Sequence, residues 1–289
     1  MQTPNMTRRE FARVAAVGAT GIAGALVAKA AAPASPLKIA IIGDSSCIPD
    51  LRREVACLLI NGKHLVDTGW CAALRMREYG FDPLALESII ISHFHQDHYI
   101  GLPQLLFYIS MRKFGRQKNP APPLNIFGPS EHLQRVVEAA DAFLQIPRFP
   151  ELALDRKLVP LTAGDKFEVP DLRFETFAAH HLSGKNQLEQ ALVYKVTDKT
   201  SGACAVFTGD THHHPPIAEF ARGASLLVHD GAHTAPKDAA QIAQQAGVKK
   251  LVLIHFSQSR AAKILAEAKA VFPNTELAEE GRTLEVSGP

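Results

Sequence analysis

The chain has 289 residues, enough for one large domain. With 46% hydrophobic and 21% charged residues it can bury a sizeable core, which excludes a disordered protein. The first thirty positions hold four of the 31 basic and one of the 29 acidic side chains, so the rest carries a net charge of −1. That balance lacks the bulk basic surplus of proteins that grip a nucleic-acid backbone, and no nucleic-acid partner is expected.

Thr7-Arg8-Arg9-Glu10-Phe11 places two adjacent arginines ahead of a 15-residue uncharged run, Val14–Ala28. The run is too short to span a bilayer. Ala28-Lys29-Ala30 then offers small residues at the two positions a signal peptidase reads. This order resembles a twin-arginine signal peptide, a receptor-read address rather than an anchor, with a frayed amphipathic helix as the alternative. It implies the twin-arginine export machinery as a partner, a periplasmic or secreted location, and no membrane anchor after cleavage. Residues 1–30 are thus the leader, 31–36 a Pro/Ala linker, and 37–289 one folded domain.

Strand-length apolar runs follow at Leu37–Ile42, Val55–Ile60, Ser88–Ser92, Leu124–Phe127, Ala203–Thr208, Ser225–His229 and Lys250–His255. Leu172–His181 reads as a further strand, and a glycine-containing loop leads to another through Tyr194. Helical spacing marks Leu102–Phe114, Ser130–Phe143, Lys237–Ala246 and Ala261–Val271. This alternation predicts a layered α/β domain. Several strands end on a polar residue that opens a loop (Asp67, Ser92, Asp210, His255), where chemistry tends to sit on a rigid sheet. Cys47, Cys57, Cys71 and Cys204 allow three full disulfide pairings. Buried free thiols fit Cys57 and Cys204 equally well, since both lie in apolar runs. No CxxC pair points to a thiolate zinc site.

The most informative stretch is Ile89–Gly101. A buried strand breaks into His93, His95, Asp97 and His98, four potential ligands within six residues. Imidazole and carboxylate suit a borderline cation such as Zn²⁺, and Mn²⁺ or Fe also accept the mixture. A tight loop can aim His93 and His95 at one ion and Asp97 and His98 at a second. Burying four such groups without a partner would cost several kcal/mol, which disfavours a chance polar loop.

His-x-His-x-Asp-His resembles the signature of the metallo-β-lactamase superfamily. The resemblance implies a four-layer αββα sandwich, so that 37–289 would be a metallo-β-lactamase-like hydrolase domain. It also implies further ligands at later strand ends. His181 would be the third ligand of the first ion, with His180 as fallback. Asp210 in Thr208-Gly209-Asp210 would bridge both ions, and His255 would serve the second. Two divalent ions about 3.5–4 Å apart can hold a bridging hydroxide as nucleophile. Asp97, Asp210 and His233 would be the catalytic side chains.

Gly43–Pro49, Gly101–Leu106, Ile126–Pro129 and Leu226–Thr234 are similar to segments of the ribonuclease Z-like and phosphodiesterase branch. His233, seven residues before Ala240, would protonate the leaving group, and His229 and Asp230 would orient it or a ligand. Gly43-Asp44-Ser45 departs from the branch's Gly-Thr-Gly. The stretch Ser130–Asp165 lacks the long glycine- and proline-rich arm with which ribonuclease Z grips transfer RNA. Asp67 would be a supporting carboxylate, Trp70 and Cys71 would cover the site, and His212-His213-His214 would line the mouth, bind adventitious metal or form an exposed loop. The implied activity is hydrolysis of a small phosphodiester or related ester by an exported enzyme. An arylsulfatase or lactonase on the same site, or a non-catalytic metal-binding protein, are the alternatives. A homodimer is common in this branch.

Overall fold

The computed structural model describes residues 35–113, 123–183 and 186–288. The twin-arginine leader, most of the linker and Phe114 lie outside the described residues.

Two seven-stranded sheets form the centre. The first runs β14 (Thr283–Val286), β1 (Leu37–Gly43), β2 (Cys57–Ile60), β3 (His64–Val66), β4 (Ser88–Ile90), β5 (Leu124–Pro129), β6 (Arg156–Leu161). The second runs β13 (Thr275–Leu277), β12 (Lys250–Ile254), β11 (Leu226–Asp230), β10 (Cys204–Phe207), β9 (Leu192–Asp198), β8 (Leu172–Ala178), β7 (Lys166–Glu168). The helices are α1 (Ala72–Glu78), α2 (Gln96–Tyr99), α3 (Leu102–Lys113), α4 (Leu133–Phe143), α5 (Ile217–Phe220), α6 (Pro236–Ala246) and α7 (Ala261–Lys269).

Strand alternation explains the layering. Ile39 and Ile41 of β1 join Leu58, Ile90 and Tyr194 in a core that includes residues of both sheets. Their neighbours Ala40 and Ile42 instead pack with Met76 of α1, Leu105 and Ile109 of α3 and Val137 of α4. Successive side chains point to opposite faces, so a strand buried on both faces needs a partner layer on each. The second sheet has α5, α6 and α7 on its outer side, where Ile217, Ala239, Ala243 and Ile264 are buried. The architecture is therefore the four-layer αββα sandwich. Each fully buried Leu or Ile side chain contributes about 1.5–3 kcal/mol of burial.

β3 to β6 are parallel, as are β10 to β13. Parallel strands must all end at the same side, and polar loops cluster there. Asp67 follows β3, His93–His98 follow β4, Asp210 follows β10, Asp230 ends β11 and His255 follows β12. The strand expected to end at Asp67 is β3, whereas β6, β7, β13 and β14 have no counterpart among the apolar runs of the sequence. Ser130–Asp165 packs as α4, a short 3-10 turn and β6, with no projecting arm.

Candidate metal centre

Asp67 ties the ligand loop to the sheet. Its carboxylate accepts from the Ser92 amide at 2.7 Å and the Ser92 hydroxyl at 2.8 Å, and it lies 2.8 Å from His98 Nδ1. Asp67 (φ 57°) and His255 (φ 61°) both adopt the left-handed region, a strain that surrounding contacts must hold. Gly209 (φ 56°) needs glycine twice over: a Cβ there would stand 2.9 Å from Cβ of Ser92.

The sequence-predicted ligands converge as two groups. His93, His95 and His181 form one, with ring centroids 4.5–4.9 Å apart. His181 Nε2 and His95 Nδ1 face each other at 2.9 Å. Two ligands of one tetrahedral Zn²⁺ would be about 3.3 Å apart. Asp97, His98, Asp210 and His255 form the other. Asp97 Oδ2 is 3.3 Å from both His98 Nε2 and His255 Nε2, and Asp210 Oδ1 is 3.4 Å from His98 Nε2 and His255 Nδ1. Asp210 also reaches toward the first group, with Oδ2 3.9 Å from His93 Nε2.

Orphaned polar atoms test whether cations fit. His93 Nε2, His98 Nε2 and His255 Nδ1, each within 3.9 Å of Asp210, are buried without a hydrogen-bond partner. Each such group costs about 1–3 kcal/mol unless something satisfies it. Histidine nitrogens and carboxylates converging in this way suit two divalent cations.

Burial and mutual repulsion push His93 below the ordinary imidazole range. Burial likewise lowers His181, to about 4. Both are neutral, the form that ligates a metal. Burial also works against charge on His98 and His255, yet Asp210 and the neighbouring carboxylates outweigh it and raise both, His255 to about 10. Asp97 and Asp210 are held below the usual carboxylate range despite burial, by the His255 and His98 rings. A cation entering the second group would therefore displace protons.

The remaining sequence candidates divide. His233 joins the site: its Nδ1 is 2.8 Å from Asp230 Oδ2 and 3.6 Å from Asp210 Oδ2. Asp230 also accepts from the Thr211 and Ala232 amides and lies 3.6 Å from His255 Nδ1. His229 does not share this orienting role. It alternates with Asp230 along β11, and its Nδ1 meets only the Asp230 carbonyl, at 3.0 Å. His180 is outside the ligand group; its ring lies 5.9 Å from that of His214. The three consecutive histidines part company, with His213 facing Asp238, His214 beside Phe177, and only His212 near the ligands.

Two acids hold neighbouring loops. Asp44 stands where the resemblance expects threonine. Its buried carboxylate pairs with Arg53, and burial raises it to about 6 against that pairing. Its carbonyl accepts from the His255 and Phe256 amides, which fixes the last ligand loop. Glu54, which no motif flags, accepts from the Trp70 amide at 2.9 Å and the Cys71 amide at 2.7 Å. Trp70 is 37% exposed, so the pair forms an anchored loop rather than a closed cover. All four cysteines are free, with Cys57 and Cys204 buried.

The family model of the beta-lactamase superfamily domain matches residues 64–256, which span every ligand position. The chain belongs to the beta-lactamase superfamily. Within it, ribonuclease Z of Archaeoglobus fulgidus is 26% identical, over 86% of this chain and 98% of that protein. Ribonuclease Z of Brevibacillus brevis is 28% identical, over 84% and 94%. Among solved structures, the metallo-beta-lactamase fold protein YhfI of Bacillus subtilis superposes with a TM-score of 0.70 at 21% identity, over 86% of this chain and 99% of that one. Human tRNase Z, short form, gives 0.65 at 20%, over 86% and 98%. The chain is a ribonuclease Z-like, metal-dependent hydrolase of this superfamily. Those relatives also correct one expectation: their name is that of a ribonuclease, so the absence of a nucleic-acid partner has no support from them.

Proposed function

We propose that this hydrolase cleaves a small phosphodiester, using two divalent cations held by His93, His95 and His181 and by Asp97, His98 and His255, with Asp210 shared. The observation that carries the reading is the position of Asp210, within 3.9 Å of His93 and 3.4 Å of His98 and His255, with the His233–Asp230 pair beside it. Two cations so held would supply a nucleophile near neutral pH and stabilise the charge that develops on the phosphoryl oxygens. Zn²⁺ is the ion that best suits the nitrogen and oxygen ligands, ahead of Mn²⁺ or Fe.

The residues divide the remaining work. Asp67 and Asp44 fix the ligand loops. Asp97 and Asp210 keep negative charge at the ions. His233, anchored through Nδ1 to Asp230, gives a proton to the leaving oxygen as the P–O bond breaks. Water adds its oxygen to phosphorus, and the products are a phosphomonoester and an alcohol. No Gly-x-Ser-x-Gly elbow competes in the sequence.

A second reading has its own support. Whole-length similarity to proteins named ribonuclease Z favours an RNA phosphodiester. Against it stands the compact fold of Ser130–Asp165, which offers no arm to hold a transfer RNA. Arylsulfatase or lactonase activity would use the same ligands. A non-catalytic metal-binding role gains nothing from a chain that keeps all seven ligand positions. Hydrolysis of a bis-aryl phosphate, an aryl sulfate, an acyl lactone and a precursor transfer RNA separates these readings. Faster cleavage of any of the last three would overturn the first choice.

The leader supports twin-arginine export to the periplasm, with cleavage after Ala30 releasing residues 31–289. Fractionation and N-terminal sequencing of the exported protein check this. A homodimer is the proposed assembly, supported by exposed Ile100 and Phe143, which line a cavity of about 390 Å³ between α3 and α4, and by the exposed apolar side chains Phe107 and Met111 of α3. Sedimentation of wild type and Phe107→Glu tests it.

A further inference from the structure

Three of the loops at the ligand end of the sandwich carry large apolar side chains out into solvent. Leu51 is 92% exposed, Ile48 71% and Leu188 67%, and the exposed ring of Trp70 adds a fourth. Each loop is tied to a ligand residue through the backbone. On the loop from β1 to β2, the Asp44 carbonyl accepts from the His255 amide at 3.0 Å. After β3, the Thr68 amide donates to the His98 carbonyl at 2.9 Å. Between β8 and β9, the Glu189 amide donates to the His181 carbonyl at 2.9 Å.

Two of these loops are braced. Arg53 pairs with buried Asp44, and its amide donates to the Asp50 carbonyl at 2.9 Å, so Ile48 and Leu51 stand on a pinned segment. Glu54 holds the Trp70 amide. The turns at the other end of the strands, between β2 and β3, β9 and β10, and α6 and β12, carry no exposed large apolar side chain among the described residues.

Apolar side chains grouped around a reaction centre mark a contact surface. A second copy seated on all three loops would cover the ligands that the loops are tied to, so the contact is with the substrate itself. Sugars and peptides bring hydroxyls and amides that would lose water there without gaining a partner, whereas methylenes gain by leaving water.

We infer that Ile48, Leu51, Trp70 and Leu188 form a rim that takes a hydrocarbon chain of the substrate. The preferred phosphodiester is thus amphipathic, with a long alkyl or acyl arm. This rests on the phosphodiester reading above.

The test uses the zinc-loaded full chain and a series of nitrophenyl alkyl phosphates from methyl to decyl, each below its micelle concentration. Hydrolysis puts the oxygen of water on phosphorus and releases nitrophenol, leaving the alkyl phosphate. For wild type, kcat/KM is expected to rise about two- to fourfold with each methylene buried on the rim, and to level off once the chain passes it. Leu51→Asn/Leu188→Asn, changed at two solvent-facing positions, should cut the decyl-to-methyl ratio by about tenfold or more. Leu51→Met/Leu188→Met, which stays apolar, should keep it. Phe149→Asn, an exposed apolar position on the segment leading into β6, should leave it at the wild-type value. Sedimentation with phosphatidylglycerol vesicles then identifies the source of the chain. Binding by wild type and not by the double Asn variant assigns it to a bilayer; no binding, with the chain-length dependence present, assigns it to a dissolved amphiphile. A flat series in wild type, an unchanged ratio in the double Asn variant, or dissociation of a dimer by that variant overturns the inference and leaves the phosphodiester reading intact. Turnover of an aryl sulfate or lactone with no cleavage of any phosphodiester removes both together.

Discussion

Two buried histidines, one at each end of the sandwich, share nearly the same partners and do different things. His64 on β3 contacts Ser88 through Nδ1 and Asp171 through Nε2, each at 2.8 Å. His98 contacts Asp67 through Nδ1 at 2.8 Å, with Ser92 on the same carboxylate, but its Nε2 is buried without a partner. His64, Glu87 and Asp171 also lie within ligand reach of one another. Yet both nitrogens of His64 are engaged, so the ring acts as a clamp between the first sheet and the turn before β8. In this pair the difference lies in the second nitrogen, left unsatisfied in His98 and satisfied in His64.

The comparison breaks most visibly at Asp210, which serves only the ligand end. Asp210→Ala is expected to lower kcat/KM by about 10²–10³-fold or more and to reduce the bound metal below two equivalents, measured by kinetics and metal analysis. Intact activity on every ester would refute the assignment of both groups.

Asp67→Asn tests the clamp-like partner of the candidate ligand His98. The amide cannot hold Ser92 and His98 together as the carboxylate does. Metal affinity, read by chelator competition, should fall about 10–100-fold. An affinity equal to wild type would mean that Asp67 only supports the fold.

Asp171→Asn is the mirror experiment. It should cost about 1–3 kcal/mol in urea unfolding, while metal content and kcat stay at wild-type values. Loss of metal here would erase the distinction between the two ends.

The smallest effect is in pH. Although burial opposes it, hydrogen bonds from His64 and Asn61 hold the Asp171 carboxyl below the usual range. A depressed folded value makes its stabilisation complete above the unfolded value of about 4, and lost as the pH falls below it. The stability gap between wild type and Asp171→Asn should therefore narrow from pH 6 to pH 3. A constant gap would show that the carboxylate's charge is not what matters.

The alternation of runs predicted a layered α/β domain and the spacing of His93, His95, Asp97 and His98 a ligand cluster, because both are local features; the αββα sandwich and the candidates His181, Asp210 and His255 came from the family resemblance, and the structure brings all seven together in two groups. The sequence also marked Asp67, and the resemblance His233. Glu54 carries no motif, since a buried acid that accepts backbone amides from a distant loop has no signature in its own neighbourhood. The side of β11 on which His229 falls depends on which residue faces the site, a matter of register. Only the tertiary structure could tell His64 from His98, or His212 from its two neighbours: whether an imidazole nitrogen is satisfied depends on groups that are remote in the chain and meet only when the sheets pack.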